Sequence, residues 1–137
     1  MKLKIGDHYS FQKKVTDEDV KMFAEVSGDK NPLHLDDEYA KTTMFGQRIA
    51  HGMIGAGFIS AAIGMGLPGL GTTYLDQTLS FKKPVFIGEE LTAKVEVADI
   101  VEKKKFSIAT LKTTVTNEAG DIVIEGEAKV IPPKEEL

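Results

Sequence analysis

Hydrophobic and polar residues alternate through most of the second half of the chain, and this period of two is typical of β-strands. The alternation predicts strands over residues 72–82, 91–97, 106–115 and 122–130. Residues 117–120, Asn-Glu-Ala-Gly, are a typical hairpin turn between the last two strands. We therefore expect long antiparallel strands in this half of the chain.

The first half of the chain changes from one short strand, residues 9–15, to a helical period. Thr16 is a good N-cap and is followed by three acidic residues, which suit the first turn of a helix. Apolar residues then recur at helical spacing until Gly28, where we expect the helix to end. Asp36 can cap a second, short helix that runs through Ala40.

A further helix is predicted over residues 52–66, a run without any charge. Its apolar residues lie all around the helix axis, so it should be buried on every side. Its several glycines are each unfavourable in a helix and indicate close approach of a surrounding sheet or of a ligand. Only a sheet that wraps the helix would bury it completely. This α+β arrangement, an antiparallel sheet around a central apolar helix, is called a hot-dog fold, and we expect it to form one domain over residues 1–137. The sheet leaves open edges and one open face, so we expect a homodimer or a higher homo-oligomer.

The composition narrows the classes of function. The 137 residues carry a net charge of −4 and no dense basic patch, which argues against nucleic acid as a partner. There are no cysteines, so disulfides and thiolate metal sites are excluded. The N-terminal residues lack the apolar run of a signal peptide, and the longest uncharged stretch, residues 49–73, is too interrupted by glycine to predict a membrane span. We therefore expect a cytoplasmic protein without a membrane partner.

The segment between the first two helices holds the most informative polar residues. Asp29 and His34 lie five residues apart, and Pro32 between them prevents a continuous helix. Asp29 follows a predicted helix C-terminus, where the helix dipole disfavours an anion. A carboxylate in an unfavourable position beside a histidine indicates acid–base chemistry rather than packing.

Three sequence blocks carry a resemblance to a known family. They read SGDxNPLHxDxxxA at residues 27–40, IAHGM at residues 49–53 and LSFKKPVFIGEEL at residues 79–91. In these blocks, and in their order, the chain resembles the MaoC-like dehydratases, specifically the (R)-specific enoyl-CoA hydratases. The resemblance implies reversible hydration of trans-2-enoyl-CoA to (R)-3-hydroxyacyl-CoA, with an acyl-CoA thioester as the substrate and no cofactor.

The resemblance also implies roles for individual residues. Asp29 and His34 would be the catalytic pair, and Gly52 would supply a backbone N–H to the thioester carbonyl. Asp29 and His34 can hold one water molecule between them, and which residue makes which proton transfer stays open. Gly52 lies at the predicted start of the apolar helix, where free N–H groups and the helix dipole favour a developing oxyanion.

Five further residues are predicted to build the substrate site. Asn31 is expected to orient the catalytic turn through a hydrogen bond to the backbone, and His51 to orient the loop before the apolar helix. Met53, Ser60 and Ile63 lie on that helix, and we predict that they line an acyl tunnel.

Charged residues outside this set have more than one interpretation. Arg48, Lys82 and Lys83 are candidates for binding the CoA phosphates, although solvated surface lysines are an equally good interpretation. Asp36 is interpreted as a helix cap rather than as a base. The carboxylates and histidines of this region are suitable metal ligands, but their spacing matches no metal motif and hydration needs none, so we predict no metal.

Three other functions stay open at this point. A hot-dog thioesterase usually has a carboxylate on its central helix, and residues 52–66 contain none. A non-catalytic acyl-CoA-binding protein could lose Asp29 or His34 without penalty, but both are present. A dehydratase that acts on a chain bound to a carrier protein would share the catalytic pair.

Overall fold

Six strands form one antiparallel sheet in the computed structural model, which describes residues 2–134. The strand order is β1-β4-β5-β6-β2, and the short β3 also pairs with β6. The strands are β1 (His8–Lys14), β2 (Thr73–Gln77), β3 (Ser80–Phe81), β4 (Glu90–Glu102), β5 (Ser107–Thr116) and β6 (Ile122–Ile131). The helices are α1 (Asp17–Ser27), α2 (Pro32–Leu35), α3 (Asp37–Lys41) and α4 (Gly52–Ala61), and α4 continues as a π-helical turn, Ala62–Gly66.

One face of the sheet forms the hydrophobic core with α4. In β5, every second residue from Ser107 to Val115 is buried, as the alternating sequence predicts. Ile59 of α4 and Ile63 of the π-helical turn are 0% and 2% exposed within the same core. An antiparallel sheet packed on a central apolar helix is the hot-dog fold, so this prediction is confirmed.

Two glycines of the central helix are explained by close packing. A Cβ atom on Gly55 would lie 2.6 Å from Cδ1 of Ile124 in β6. A Cβ atom on Gly66 would overlap the ring of Tyr9 in β1. The sheet therefore approaches the helix backbone at both ends, which is one of the two reasons that the sequence offered for these glycines.

The prediction that the central helix is buried on every side is wrong for this chain alone. Met53 is 52% exposed, and Gly57 and Ser60 are exposed on the same side of α4. Among the described residues, nothing lies within 4 Å of a Cβ placed on Gly57. One stripe of α4 is thus left uncovered by the sheet.

The predicted strand over residues 72–82 is divided into β2 and β3. The backbone between them leaves the ladder at Thr78, whose carbonyl oxygen occupies the space that a side chain on Gly126 would fill. Thr78 stays attached to β6, because its N–H donates to the Glu127 carbonyl at 2.8 Å and its Oγ1 accepts the Glu127 N–H at 2.9 Å. Alternation of residue types does not reveal this break, since it depends on a contact with another strand.

The segment between α1 and α3 is interrupted as expected, but it contains a helical turn of its own. Gly28 ends α1 with a left-handed φ of 82°, as expected for a helix C-terminus. A separate helical turn, α2, then begins at Pro32, where the missing N–H of proline costs no hydrogen bond. Within residues 2–134, no helix is long and apolar enough to cross a membrane.

Candidate active site

A chain of short-range hydrogen bonds fixes the turn that carries Asp29. Ser27 Oγ accepts the Asp29 N–H at 3.1 Å, and Asp29 Oδ1 accepts the Asn31 N–H at 3.2 Å. Asn31 Oδ1 in turn accepts the Leu33 N–H at 3.0 Å and caps α2. Asn31 therefore orients the turn through the backbone, which is the structural contact predicted for it.

His34 lies on α2 and is 8% exposed. Its Nδ1 is 2.7 Å from the carbonyl oxygen of Ile49, so Nδ1 carries the hydrogen and donates it, which leaves the lone pair on Nε2. Burial lowers the pKa of His34 below its usual value, and the charges of His51 and Arg48 act in the same direction, against the opposing effects of the Ile49 carbonyl and Asp29. The ring is thus held neutral with one nitrogen able to accept a proton.

His51 occupies the N-cap position of α4 and is 3% exposed. Its Nε2 lies 2.9 Å from the backbone carbonyl oxygen of Asp29 and donates to it. Its ring stacks on His34, with 3.9 Å between ring centroids and 30° between ring planes, and Phe23 packs against it at 4.8 Å. The three residues of the predicted site, Asp29, His34 and His51, therefore form one cluster.

The cluster also has the composition of a metal site. Asp29, His34 and His51 each offer one ligand atom, and these atoms lie within 4.8 Å of one another. However, imidazole binds a metal through a lone pair in the ring plane, and here the two rings stack with 30° between their planes. Two stacked rings would have to rotate before both nitrogens could reach one ion, so this geometry suits proton transfer better than metal coordination.

A cavity of about 540 Å³ opens beside the cluster and is lined mainly by apolar side chains. His34 and His51 line it, as does Met53, and Asp29 lies beside it rather than in its wall. Several lining residues were not singled out from the sequence, and they include Phe45, Phe81, Val85, Leu91 and Ile124. Phe81, Val85 and Leu91 lie inside the third block of resemblance, which is the one signal that could have identified them.

The N-terminus of α4 faces this cavity through Gly52. The first N–H groups of a helix have no partner within the helix, and α4 has no side-chain cap. A Cβ atom on Gly52 would lie 2.8 Å from Cε1 of Phe81, so a larger residue would displace that ring. The lack of a side chain at Gly52 keeps the helix N-terminus open to the cavity.

Two predicted substrate residues are not brought to this cavity. Ile63 is 2% exposed in the core, and Ser60 is exposed on the uncovered stripe of α4. Within the described part of the chain, neither residue is part of the cavity wall. Their side chains point to other surroundings because they lie two turns or more beyond the helix N-terminus.

The candidate cations differ from one another. Arg48 is an internal residue, since its guanidinium binds Asp17 at 2.5 Å and donates to the backbone carbonyl of His34 at 2.7 Å. Its side chain is 13% exposed, so the interpretation as a free phosphate-binding residue is wrong. Lys82 and Lys83 line the cavity and are about half exposed.

Asp36 accepts the Tyr39 N–H at 3.1 Å and caps α3, as predicted.

Comparison with known proteins agrees with this fold. The MaoC-like domain model matches residues 2–119. An (R)-specific enoyl-CoA hydratase of Rhodospirillum rubrum is 50% identical over 96% of this chain and 89% of that protein. A 3-hydroxybutyryl-CoA dehydratase of Methylorubrum extorquens is 42% identical over 98% of this chain and 83% of that protein.

A solved structure of similar sequence has the same fold. The (R)-hydratase from A. caviae that is involved in PHA biosynthesis superimposes with a TM-score of 0.90 and 44% identity, over 96% of this chain and 98% of that one. The fold and the cluster define a hot-dog protein with a histidine–carboxylate site. The chain belongs to the MaoC-like dehydratase family.

The lowered pKa of His34 predicts a specific loss of stability in acid. Unfolded His34 takes up a proton near its usual pKa of 6.5, whereas folded His34 takes it up only at lower pH. The stabilising contribution of neutral His34 is therefore complete above pH 6.5 and is lost as the pH falls through the folded pKa. Urea unfolding between about pH 7.5 and pH 5.5 should show a smaller loss of stability in His34→Gln than in the unsubstituted protein.

The matched control for this experiment is His8→Gln, because His8 is exposed at the start of β1. An equal loss of stability in the unsubstituted protein and in His34→Gln would contradict the inferred neutral state of His34.

Proposed function

We propose that this protein is an (R)-specific enoyl-CoA hydratase, which adds water reversibly to trans-2-enoyl-CoA. The observation that carries the proposal is a neutral, buried His34 with its Nε2 lone pair available beside Asp29, at an apolar cavity that also receives the N-terminus of α4. The names of the relatives, which are hydratases and a dehydratase of CoA thioesters, support the same activity.

The reaction requires a base, a proton donor and a site for negative charge. A water molecule between Asp29 and His34 loses a proton to the pair while its oxygen bonds to C3 of the enoyl group. The electrons of the double bond move onto the thioester oxygen, and a proton delivered from the pair to C2 completes the addition. Because the pair first takes a proton and then returns one, it ends each turnover in its starting state.

The developing negative charge on the thioester oxygen is placed at the N-terminus of α4. The N–H of Gly52 and the positive end of the helix dipole stabilise such a charge beside the apolar wall of the cavity. The apolar wall of the cavity suits the acyl chain, since burial of each CH₂ group is favourable by about 0.8 kcal/mol.

The activity is tested by incubating the protein with crotonyl-CoA. We expect the conjugated enoyl absorbance to fall without release of free CoA, which a thiol reagent detects. The product should be oxidised by an (R)-specific 3-hydroxyacyl-CoA dehydrogenase and not by an (S)-specific one. The same crotonyl group carried by an acyl-carrier protein should be hydrated more slowly.

Each other result identifies a different function. Release of free CoA would indicate a thioesterase, and binding without any change in absorbance would indicate a non-catalytic acyl-CoA-binding protein. Faster hydration of the carrier-bound chain would indicate a dehydratase of carrier-bound substrates. Any of these three results would replace the proposed function.

Substitution of the pair tests the proposed roles. Asp29→Asn and His34→Asn should each lower kcat by roughly 10²–10⁴-fold, because general acid–base catalysis contributes about that factor. Circular dichroism and the unfolding midpoint should show that both variants remain folded.

The matched controls change the same residue types outside the site. Asp99→Asn and His8→Asn alter exposed residues of β4 and β1 and should retain full kcat. Turnover near that of the unsubstituted protein in both Asp29→Asn and His34→Asn would show that the pair does not carry the reaction.

The proposal includes assembly of at least two copies of the chain. The stripe of α4 at Met53, Gly57 and Ser60 is apolar or small and exposed, and the edge strand β2 exposes Leu75 by 50%. Exposed strand edges are usually covered in native proteins, and a second copy would cover both features.

Light scattering should therefore give at least twice the 14.9 kDa of one chain. Leu75→Glu should lower that mass, because a charge on an edge strand opposes pairing. Val101→Glu, which changes a similarly exposed residue at the far end of β4, should leave it unchanged. A mass of one chain for the unsubstituted protein would exclude the assembly.

A further inference from the structure

His51 contacts both members of the pair without offering a proton to either side chain. Its Nε2–H is used by the backbone carbonyl of Asp29, at 2.9 Å. Its ring face lies against the ring of His34, with 3.9 Å between centroids. Asp29 and His34 belong to different local structures, the end of α1 and the turn α2, and His51 reaches both from the start of α4.

Two ring contacts fix the orientation of the His51 ring. Phe23 of α1 packs against it, with centroids 4.8 Å apart and planes at 54°, and His34 stacks on it with centroids 3.9 Å apart. The side chain is 3% exposed, so rotation of the ring would require movement of α1 or α2. The Nε2–H is therefore aimed at one carbonyl oxygen.

Packing alone does not account for an imidazole at this place. Nδ1 of His51 is buried and has no hydrogen-bond partner among the described residues. A buried polar atom without a partner lowers stability, and a phenyl ring would cover both neighbours without holding such an atom itself. The feature that a phenyl ring lacks is the Nε2–H bond to Asp29.

We propose that His51 is a positioning residue for the hydration reaction, which holds Asp29 through its backbone and sets the ring plane of His34. The inference rests on the proposed function. His51 itself does not exchange a proton with substrate, because its Nε2–H is committed to a backbone carbonyl. Its contribution is to keep the two groups at the separation at which both contact one water molecule.

Two substitutions separate the two contacts. His51→Phe keeps an aromatic ring between Phe23 and His34 and removes the N–H donor. His51→Gln keeps a donor near the position of Nε2 and removes the ring. His8→Phe is the matched control, because it makes the same change at an exposed residue and should leave every measured quantity unchanged.

For His51→Phe we expect kcat to fall by roughly 10–100-fold, with KM within about twofold, since misplacement of a catalytic group has costs of this order. Its melting temperature should stay close to that of the unsubstituted protein, because removal of the unpartnered Nδ1 offsets the loss of the Nε2–H bond to Asp29. A merely structural role would instead lower melting temperature and activity together.

For His51→Gln we expect kcat within about tenfold of the unsubstituted protein, because the donor is retained. The acidic limb of the kcat/KM profile should move to higher pH. Exposure of His34 and loss of the second imidazole both raise the pKa of His34, and the other charged groups that face it, Asp29 and Arg48, are unchanged.

The outcomes are separable from those of the proposed function. Absence of turnover in the unsubstituted protein refutes the proposed hydratase activity. The contact between His51 and His34 can then still be tested without substrate, by following the titration of His34 by NMR in His51→Gln. A folded His51→Phe with unchanged kcat and an unchanged pH profile overturns the positioning role. Equal losses of activity and of melting temperature in both variants also overturn it.

Discussion

The burial of α4 is the constraint on which the rest of the structure depends. Its residues Ile54, Phe58 and Ile59 are apolar, so they are stable only where the sheet covers them and keeps them from water. The segment that enters α4 is then attached to the connection between β3 and β4, where the Ala50 N–H donates to the Val85 carbonyl at 2.7 Å. The position of the helix N-terminus follows from hydrophobic packing several residues away from any chemistry.

Arg48 transmits this constraint to the turn that carries Asp29 and His34. It is the single arginine of the sequence, and its planar guanidinium reaches Asp17 at the start of α1 and the backbone carbonyl of His34 in α2. A lysine has one charged nitrogen and could not donate in two directions with the same fixed geometry. The turn is thus attached to the entry of α4 by a side chain whose charge is used inside the protein.

The sequence predicted the helices and strands whose residue types follow a regular pattern, but it did not predict the contacts between them. The alternation in β5 and the capping of α1 by Thr16 are local properties, and both appear as expected. The break at Thr78 and the internal role of Arg48 depend on residues far away in the chain, so no local pattern could indicate them. For the same reason the ring stack of His51 on His34 has no local signal, whereas Asp29, His34 and Gly52 were singled out by their motif.

The chemistry of the cluster depends on backbone carbonyls as much as on side chains. The carbonyl of Ile49 sets the hydrogen of His34 on Nδ1, and the carbonyl of Asp29 sets that of His51 on Nε2. Both carbonyls belong to segments whose paths follow from the end of α1 and the entry of α4. The same backbone that places the residues therefore also determines which of their nitrogens can accept a proton, and a substitution that shifts either segment would change the chemistry without altering any residue of the pair.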